Sequence, residues 1–220
     1  MLFVIDFDGT LAVDDTVDRL LEHHADPSWA ALEADWLAGR ITALECMGAQ
    51  IGLVHADQVT LERFFRAIEL DPHFPAFWNH VRPFAQVAVV SDGLDHAIHT
   101  ALRGAGLDLP VFANKLHFVD GDRLELSFPL RQADCAGGNG VCKCAVARDL
   151  VKSSGGPVVL IGDGKSDACL AAKADIVFAK SSLLRHCQEQ AIPHTPFEDF
   201  SDILRLVQAW SPAGKLPAIA

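Results

Sequence analysis

The sequence predicts an α/β fold: a Rossmann-like parallel sheet with helices on both faces, and a small helical-bundle cap inserted after strand 1. Three observations predict it. Apolar runs at 1–5, 86–90 and 157–161 each lead directly into an acidic or hydroxyl-bearing turn. Runs without a polar face suit strands of a parallel sheet that is covered on both sides. From residue 86 onward such runs alternate with helical spacing, which implies right-handed crossovers in one sheet. Between the first two runs there is no β-rich segment at all. At 220 residues, with 50% hydrophobic and 21% charged residues, the chain has room for one domain with a substantial insertion and a real core.

The first run meets Asp6, and Asp8-Gly9 turns the chain. From there apolar residues recur at helical spacing: Val17, Leu20 and Leu21; Trp29, Leu32, Trp36 and Leu37; Leu44, Met47 and Ile51; Leu61, Phe64, Phe65 and Ile68. Cap and turn signals at Asp26-Pro27-Ser28, Gly39-Arg40-Ile41-Thr42 and Asp71-Pro72 separate the segments. These predict a helical cap over 13–82, with Trp29, Trp36 and Trp78 in its core, set into a catalytic core formed by 1–12 and 83–220. The second run ends in Ser91-Asp92-Gly93, and a helix through Ile98 and Leu102 is closed by Gly104 and Gly106. Val111-Phe112 reads as a short strand, and 116–119 with 124–128 as a separate hairpin turning at Asp120-Gly121-Asp122. A glycine-rich loop over 134–140 and a helix over 141–151 precede the third run, which enters Gly162-Asp163-Gly164. Helix, strand (Ile176-Val177-Phe178) and helix follow, and the tail from Ser211 reads as loose.

A net charge of −11 argues against nucleic-acid backbones and anionic membranes as partners. No apolar run approaches the roughly 18 residues of a membrane span, and the acid at position 6 interrupts what would otherwise resemble a signal peptide. The six cysteines therefore belong to a reducing cytoplasm.

Three strand ends on one parallel sheet converge on one crevice. Asp6, Asp8, Asp163 and Asp167 gathered there repel one another unless a hard cation lies among them. Mg²⁺ suits a site with few carboxylates and room for water and phosphate oxygens. Gly9 and Gly93 let backbone N–H groups approach an anion closely.

The set Asp6-Phe7-Asp8-Gly9-Thr10, Ser91, Lys143 and Gly162-Asp163-Gly164-Lys165-Ser166-Asp167 resembles, in order, the four motifs of the haloacid dehalogenase superfamily. The helical insert after the first motif resembles the cap of its phosphoserine-phosphatase-like subgroup. Within it, the segment from Trp36 to Cys46 resembles phosphatases acting on 2-hydroxy-3-keto-5-methylthiopentenyl-1-phosphate, as does the cysteine-rich approach to Lys143. The resemblance implies hydrolysis of a small phosphorylated metabolite. Asp6 would be the nucleophile and Asp8 the acid–base group. The metal would sit on the Asp6 carboxylate, the Asp8 carbonyl and Asp163, with Asp167 supporting it. Ser91, the N–H groups of Asp92 and Gly93, Gly9 and Lys143 would hold the phosphoryl oxygens. Glu45 and Arg40 lie in the cap segment that faces the site in relatives, as candidate substrate contacts.

Other readings stay open at this level. Ser91 also suits a helix cap, and Lys152 and Lys165 rival Lys143. Cys135, Cys142 and Cys144 are either reduced structural thiols or an incomplete zinc set. His23 and His24 are either exposed or in contact with substrate. Phosphoserine and phosphoethanolamine or phosphocholine are alternative substrates. A non-catalytic phosphometabolite-binding module is the alternative from another class, although receiver domains pair adjacent acids where this chain has Asp-x-Asp.

Overall fold

The first apolar run becomes β1 (Leu2–Ile5), whose four side chains are all buried. The structure, a computed structural model, describes residues 1–119, 123–135, 137–208 and 210; the expected turn Asp120-Gly121-Asp122 and the tail from Ser211 lie outside the described residues. After β1 come α1 (Thr16–His24), α2 (Trp29–Leu37), α3 (Ala43–Ile51), α4 (Gln58–Arg66) and α5 (Phe74–Val81). Then follow β2 (Gln86–Leu94), α6 (Asp95–Gly104), β3 (Val111–Val119) and β4 (Arg123–Ser127). The chain continues with α7 (Lys143–Ser154), β5 (Val158–Gly162), α8 (Ala168–Ala171), β6 (Ile176–Ala179), α9 (Ser181–Glu189), β7 (Thr195–Pro196) and α10 (Phe200–Val207).

The strands form one sheet in the order β4-β3-β2-β1-β5-β6-β7. Every described pair is parallel except β3 with β4. Side-chain alternation sorts each run to two faces. Phe3, Ile5, Val87, Val89, Val159 and Ile161 join one buried cluster with residues of α5, α6 and α10. Leu2, Val4, Ala88, Val90 and Leu160 join the opposite one with α7 and α9. Both faces are covered, which is why these strands carry no polar alternation.

Three expectations change here. Val111-Phe112 and the first arm of the hairpin form one continuous strand, β3, in which Asn114 is buried with its amide bonded to Asp92 instead of turning the chain; β3 pairs with β2 at one end and β4 at the other. The helical span also divides by its packing. Val17, Leu20 and Leu21 of α1, Ile51, and Leu61 and Phe65 of α4 pack with Leu94, Ala97, Leu116 and Leu124. Helix α5 instead inserts Phe74, Phe77 and Val81 into the sheet core, where Phe74 meets Phe200 edge-on with ring centroids 4.9 Å apart. Finally, α2 buries no side chain completely. Trp29 is half-buried against the insert's cluster, Trp78 packs on the sheet core, and Trp36 lines a cleft.

Local chemistry sets the insert's helix starts. The side chains of Asp15, Thr42 and Asp57 each accept an N–H from the first turn of α1, α3 and α4, contacts worth about 1 kcal/mol apiece. Among the described residues no helix is long and apolar enough to cross a membrane.

Candidate active site

The strand order puts β1 between β2 and β5, with Ile5 level with Val89 on one side and Ile161 on the other. The three acid-bearing strand ends therefore adjoin. They open into a cleft of about 350 Å³ whose lining includes Asp6, Asp8, Ser91, Asp92 and Asp163, with Val17, Glu33, Trp36 and Met47 from the insert opposite.

Asp6 is buried at the end of β1. One carboxylate oxygen accepts the Phe7 N–H at 2.8 Å, and the other lies 2.7 Å from Lys143 Nζ. Lys143 opens α7, is 2% exposed, and also donates to Asp167 Oδ1 at 2.6 Å. The second Asp167 oxygen accepts the Gly164 N–H at 3.1 Å. Burial works against the ammonium, but Asp167 and Asp6 outweigh it and hold Lys143 protonated well above its ordinary value. Burial and then Asp6 push Asp167 upward, with Lys143 opposing. The rival lysines are elsewhere occupied or exposed: Lys152 pairs with Asp149 at 2.7 Å on an open surface, and Lys165 lines the cleft from its exposed side.

Asp8 takes a different environment two residues on. Its Oδ1 accepts the Thr16 N–H at 2.9 Å and, in a short bond, the Thr16 hydroxyl. Burial, then the charge of Asp15, push its pKa up to about 8 despite those bonds. A carboxyl of that kind holds its proton near neutral pH and can give it up to a leaving oxygen. Asp163 accepts the Thr10 hydroxyl at 3.1 Å, and burial followed by Asp6 raises it to about 6. Close approach explains both glycines. Gly9 has φ +65°, and a Cβ there would stand 2.7 Å from Asp163 Oδ2; a Cβ on Gly93 would run into Asp8 Oδ2.

Ser91 is 1% exposed, and its Oγ accepts the Gly93 N–H at 3.0 Å. It caps no helix, because α6 starts later, after Leu94. The Asp92 side chain has a role of its own. Its carboxylate accepts the Val141 N–H at 2.9 Å and Asn114 Nδ2 at 3.1 Å, so its side chain ties down the approach to Lys143.

Arg40 and Glu45 do not reach the site. Glu45 forms a capping box with Thr42, accepting its N–H and hydroxyl at 2.8 Å each, and Arg40 pairs with Asp35. Both are exposed, and neither lines the cleft. The spacing Thr42-x-x-Glu45 before an apolar run is itself a capping-box signal, and reading it would have withdrawn Glu45 from the candidates. Residues to which the sequence assigned no role of their own take their place. Thr10 and Thr16 orient Asp163 and Asp8. Ser166 points its hydroxyl at Asp6 from 3.5 Å, and Asn139 Nδ2 donates to the Ser166 carbonyl at 3.2 Å. From the insert, Glu33 faces the cleft and accepts Gln50 Nε2 at 3.1 Å.

Asp6, Asp163 and Asp167 each bring a carboxylate oxygen to within 4.8 Å of the others. An all-oxygen set at one strand-end crevice fits a hard divalent cation; burial first, and then the charge of Asp6, raises Asp163 and Asp167, and a cation would relieve that second part.

The Asp8 shift has a thermodynamic consequence. A carboxyl with a folded-state pKa near 8 and an ordinary unfolded one binds more protons in the folded state. Its contribution to stability is therefore fully present below pH of about 4 and is lost as pH rises toward about 8. Asp8→Asn carries no such penalty. In chelator-treated protein its melting temperature should gain on the wild type between pH 5 and 8; a pH-independent difference would contradict the assignment.

A family model described as haloacid dehalogenase-like hydrolase matches residues 3–172. The chain is 31% identical over 212 residues to a 2-hydroxy-3-keto-5-methylthiopentenyl-1-phosphate phosphatase of Geobacillus kaustophilus, across 94% of this chain and 96% of that one. A Bacillus pumilus phosphatase of the same description is 30% identical over 205 residues, across 90% and 87%. Among solved structures, a haloacid dehalogenase family hydrolase from Salmonella enterica serovar Typhi superposes with a TM-score of 0.75 at 18% identity, covering 96% of this chain and 72% of that one. A phosphoserine phosphatase holding a phospho-aspartyl intermediate analogue gives 0.67 at 22% identity, covering 93% and 97%. At those identities the two structures speak to the fold. The family match runs from β1 through α8, across every strand whose end builds the cleft, and on that span the chain belongs to the haloacid dehalogenase-like hydrolase family.

Proposed function

We propose that this phosphoric monoester hydrolase is a Mg²⁺-dependent cytoplasmic enzyme that works through an aspartyl-phosphate on Asp6, with 2-hydroxy-3-keto-5-methylthiopentenyl-1-phosphate or a close analogue as substrate. The observation that carries the chemistry is the contrast between two acids two residues apart: Asp6 held against the Lys143 ammonium, and Asp8 raised to about 8 beside Thr16. Asp6 attacks phosphorus, and the ester oxygen leaves with the proton of Asp8. Asp8, now a carboxylate aligned by Thr16, takes a proton from the water that hydrolyses the acyl phosphate. Ser91 and the N–H groups beyond it receive the phosphoryl oxygens. Lys143 keeps Asp6 and Asp167 apart in charge and fixed in place. The Asp6 and Asp163 carboxylates and the Asp8 backbone carbonyl would hold the cation, with Asp167 in support, and the cation would supply charge neutralisation to the transferring phosphoryl group. Helices α1–α4 act in this reading as the cap over the leaving group.

The substrate rests on two supports. The relatives named for it align over nearly their whole length. In the cleft, Val17, Trp36 and Met47 offer an apolar wall to a methylthio tail, while the insert's charged lining residues are the acids Asp15, Asp18 and Glu33. That acidic wall disfavours the carboxylate of phosphoserine. Glu33 beside Trp36 favours a second reading, a cationic phosphoethanolamine or phosphocholine leaving group. A panel ranked by kcat/KM separates them: a margin of about tenfold for phosphocholine over the methylthio ester, worth about 1.4 kcal/mol, would displace the first reading. Glu33→Gln is expected to cost the cationic esters about tenfold and to leave the neutral one nearly unchanged.

The role of Asp8 has its own test. Asp8→Asn should slow alkyl phosphates by about 10²–10⁴-fold and p-nitrophenyl phosphate far less in the phosphorylation step, because p-nitrophenolate leaves without a proton. Burst kinetics on both esters measure this, and equal losses would remove Asp8 from the acid role.

A further inference from the structure

The pairing of β2 with β3 is interrupted where Ser91, Asp92 and Gly93 stand. Val90 lies level with Phe112 and Leu94 with Asn114, so these three residues face Ala113 alone. An excess of residues on one strand is a bulge, and a bulge lifts backbone groups out of the ladder. Where such groups are buried they need other partners. Asn114, wholly buried on β3, reaches across the gap. Its Nδ2 donates to the Asp92 carbonyl at 2.5 Å and to Asp92 Oδ1 at 3.1 Å. Both Asp92 atoms are acceptors, so the nitrogen of the amide is the end that faces them.

That one side chain meets three parts of the site. Asp92 Oδ1 also accepts the Val141 N–H at 2.9 Å, on the loop that leads into Lys143. Met47 Sδ, on α3 at the wall of the cleft, lies 3.8 Å from the same Asn114 nitrogen. Gly140 packs so closely that a Cβ there would stand 2.5 Å from Asn114 Oδ1. That oxygen finds no hydrogen-bond partner among the described residues. A buried acceptor without a donor costs stability, so packing alone does not account for an amide at this position. An aliphatic side chain of similar size would remove the cost, and would also remove the donor that Asp92 receives.

With Ser91, Asp92 and Gly93 as the seat of the phosphoryl oxygens, the reading on which this rests, we infer that Asn114 is a positioning residue for phosphoryl binding. It holds the bulge in the shape that receives those oxygens, and through Asp92 Oδ1 it ties that shape to the loop carrying Lys143. Asn114 is not among the residues that line the cleft, so it acts through Asp92 and not on the substrate. Displacing the bulge misplaces N–H donors that must already point at the developing charge, which is where such donors have their effect.

Inorganic phosphate, measured as a competitive inhibitor of p-nitrophenyl phosphate hydrolysis with Mg²⁺ present, reads the shape of the bulge. Asn114→Ala should raise its Ki by about tenfold and lower kcat by about 10–10²-fold, at a temperature where circular dichroism shows the variant folded. Asn114→Asp keeps the size but sets a carboxylate against two acceptors, and should do at least as much damage. Adding Asp92→Asn returns a donor to that contact while its oxygen still accepts the Val141 N–H, and should recover about fivefold or more in Ki. Asp92→Ala breaks the contact from its other end, leaves β3 intact, and should match Asn114→Ala if the β3 variants do not fold. Asn114 or Asp92 variants that melt lower yet keep Ki and kcat within about twofold of wild type overturn the inference. So does a double variant no better than Asn114→Asp alone. Ser91→Ala keeps the two claims apart. If it leaves Ki unchanged, 91–93 is not the phosphate seat, and the role of Asn114 falls with that reading. If it raises Ki while the Asn114 variants do not, the reading stands and only the role of Asn114 is lost.

Discussion

Asp6→Asn should abolish turnover of p-nitrophenyl phosphate in the presence of Mg²⁺, with kcat falling by at least about 10⁴-fold, the scale seen when a covalent nucleophile is removed. The substitution is nearly isosteric, and the amide oxygen still accepts the Phe7 N–H that Asp6 holds at 2.8 Å. Folding should survive, which circular dichroism and a cooperative melt would verify. Loss of activity then reads as loss of the attacking oxygen. Residual activity within about tenfold of wild type would mean that another group carries the phosphoryl transfer, and the assignment of Asp6 would fail.

Lys143→Met should be felt first in stability. Its ammonium lies 2.7 Å from Asp6 and 2.6 Å from Asp167, and its side chain is 1% exposed. Removing one partner from a buried ionic cluster leaves uncompensated charge and costs about 3–5 kcal/mol. For a chain of this length that corresponds to a melting temperature lower by about 6–20 °C. The sign of the pH effect follows from Asp167, which burial already pushes upward. Without Lys143 it takes up a proton more readily, so the damage should be smaller at pH 5 than at pH 8. Adding Asp167→Asn to Lys143→Met should recover part of the lost stability while activity stays down by about 10²-fold or more. A single variant that melts within about 1 kcal/mol of wild type would show that the cluster is solvated and the lysine expendable.

The two predictions rest on residues of unequal legibility. Asp6 stands at the end of an apolar run, and a strand's carboxyl end is a local fact that the sequence carries in a few residues. The partners of Lys143 are sequence-distant: Asp6 is far upstream and Asp167 is on another strand–helix turn. Only the parallel register of β1 with β2 and β5 brings those turns together. The roles of the Thr16 and Ser166 hydroxyls are set the same way, since a hydroxyl next to a carboxylate in space leaves no periodic trace in the sequence. Glu45 and Arg40 failed differently. Local chemistry claimed them, through a capping box and a short-range ion pair.

What the sequence determined by itself, then, was the class of the fold, the three strand ends and the acids standing on them, because each of those depends on a few neighbouring residues and on side-chain alternation along one strand. The tertiary structure alone decided which insert residues face the cleft, that α5 belongs to the sheet core, and that Cys135, Cys142, Cys144 and Cys169 line one cavity. Helical spacing says which side chains share a face. It does not say which way that face turns, because that is settled by apolar contacts such as Leu20, Leu61 and Phe65 against Leu94 and Leu116, whose partners lie far along the chain.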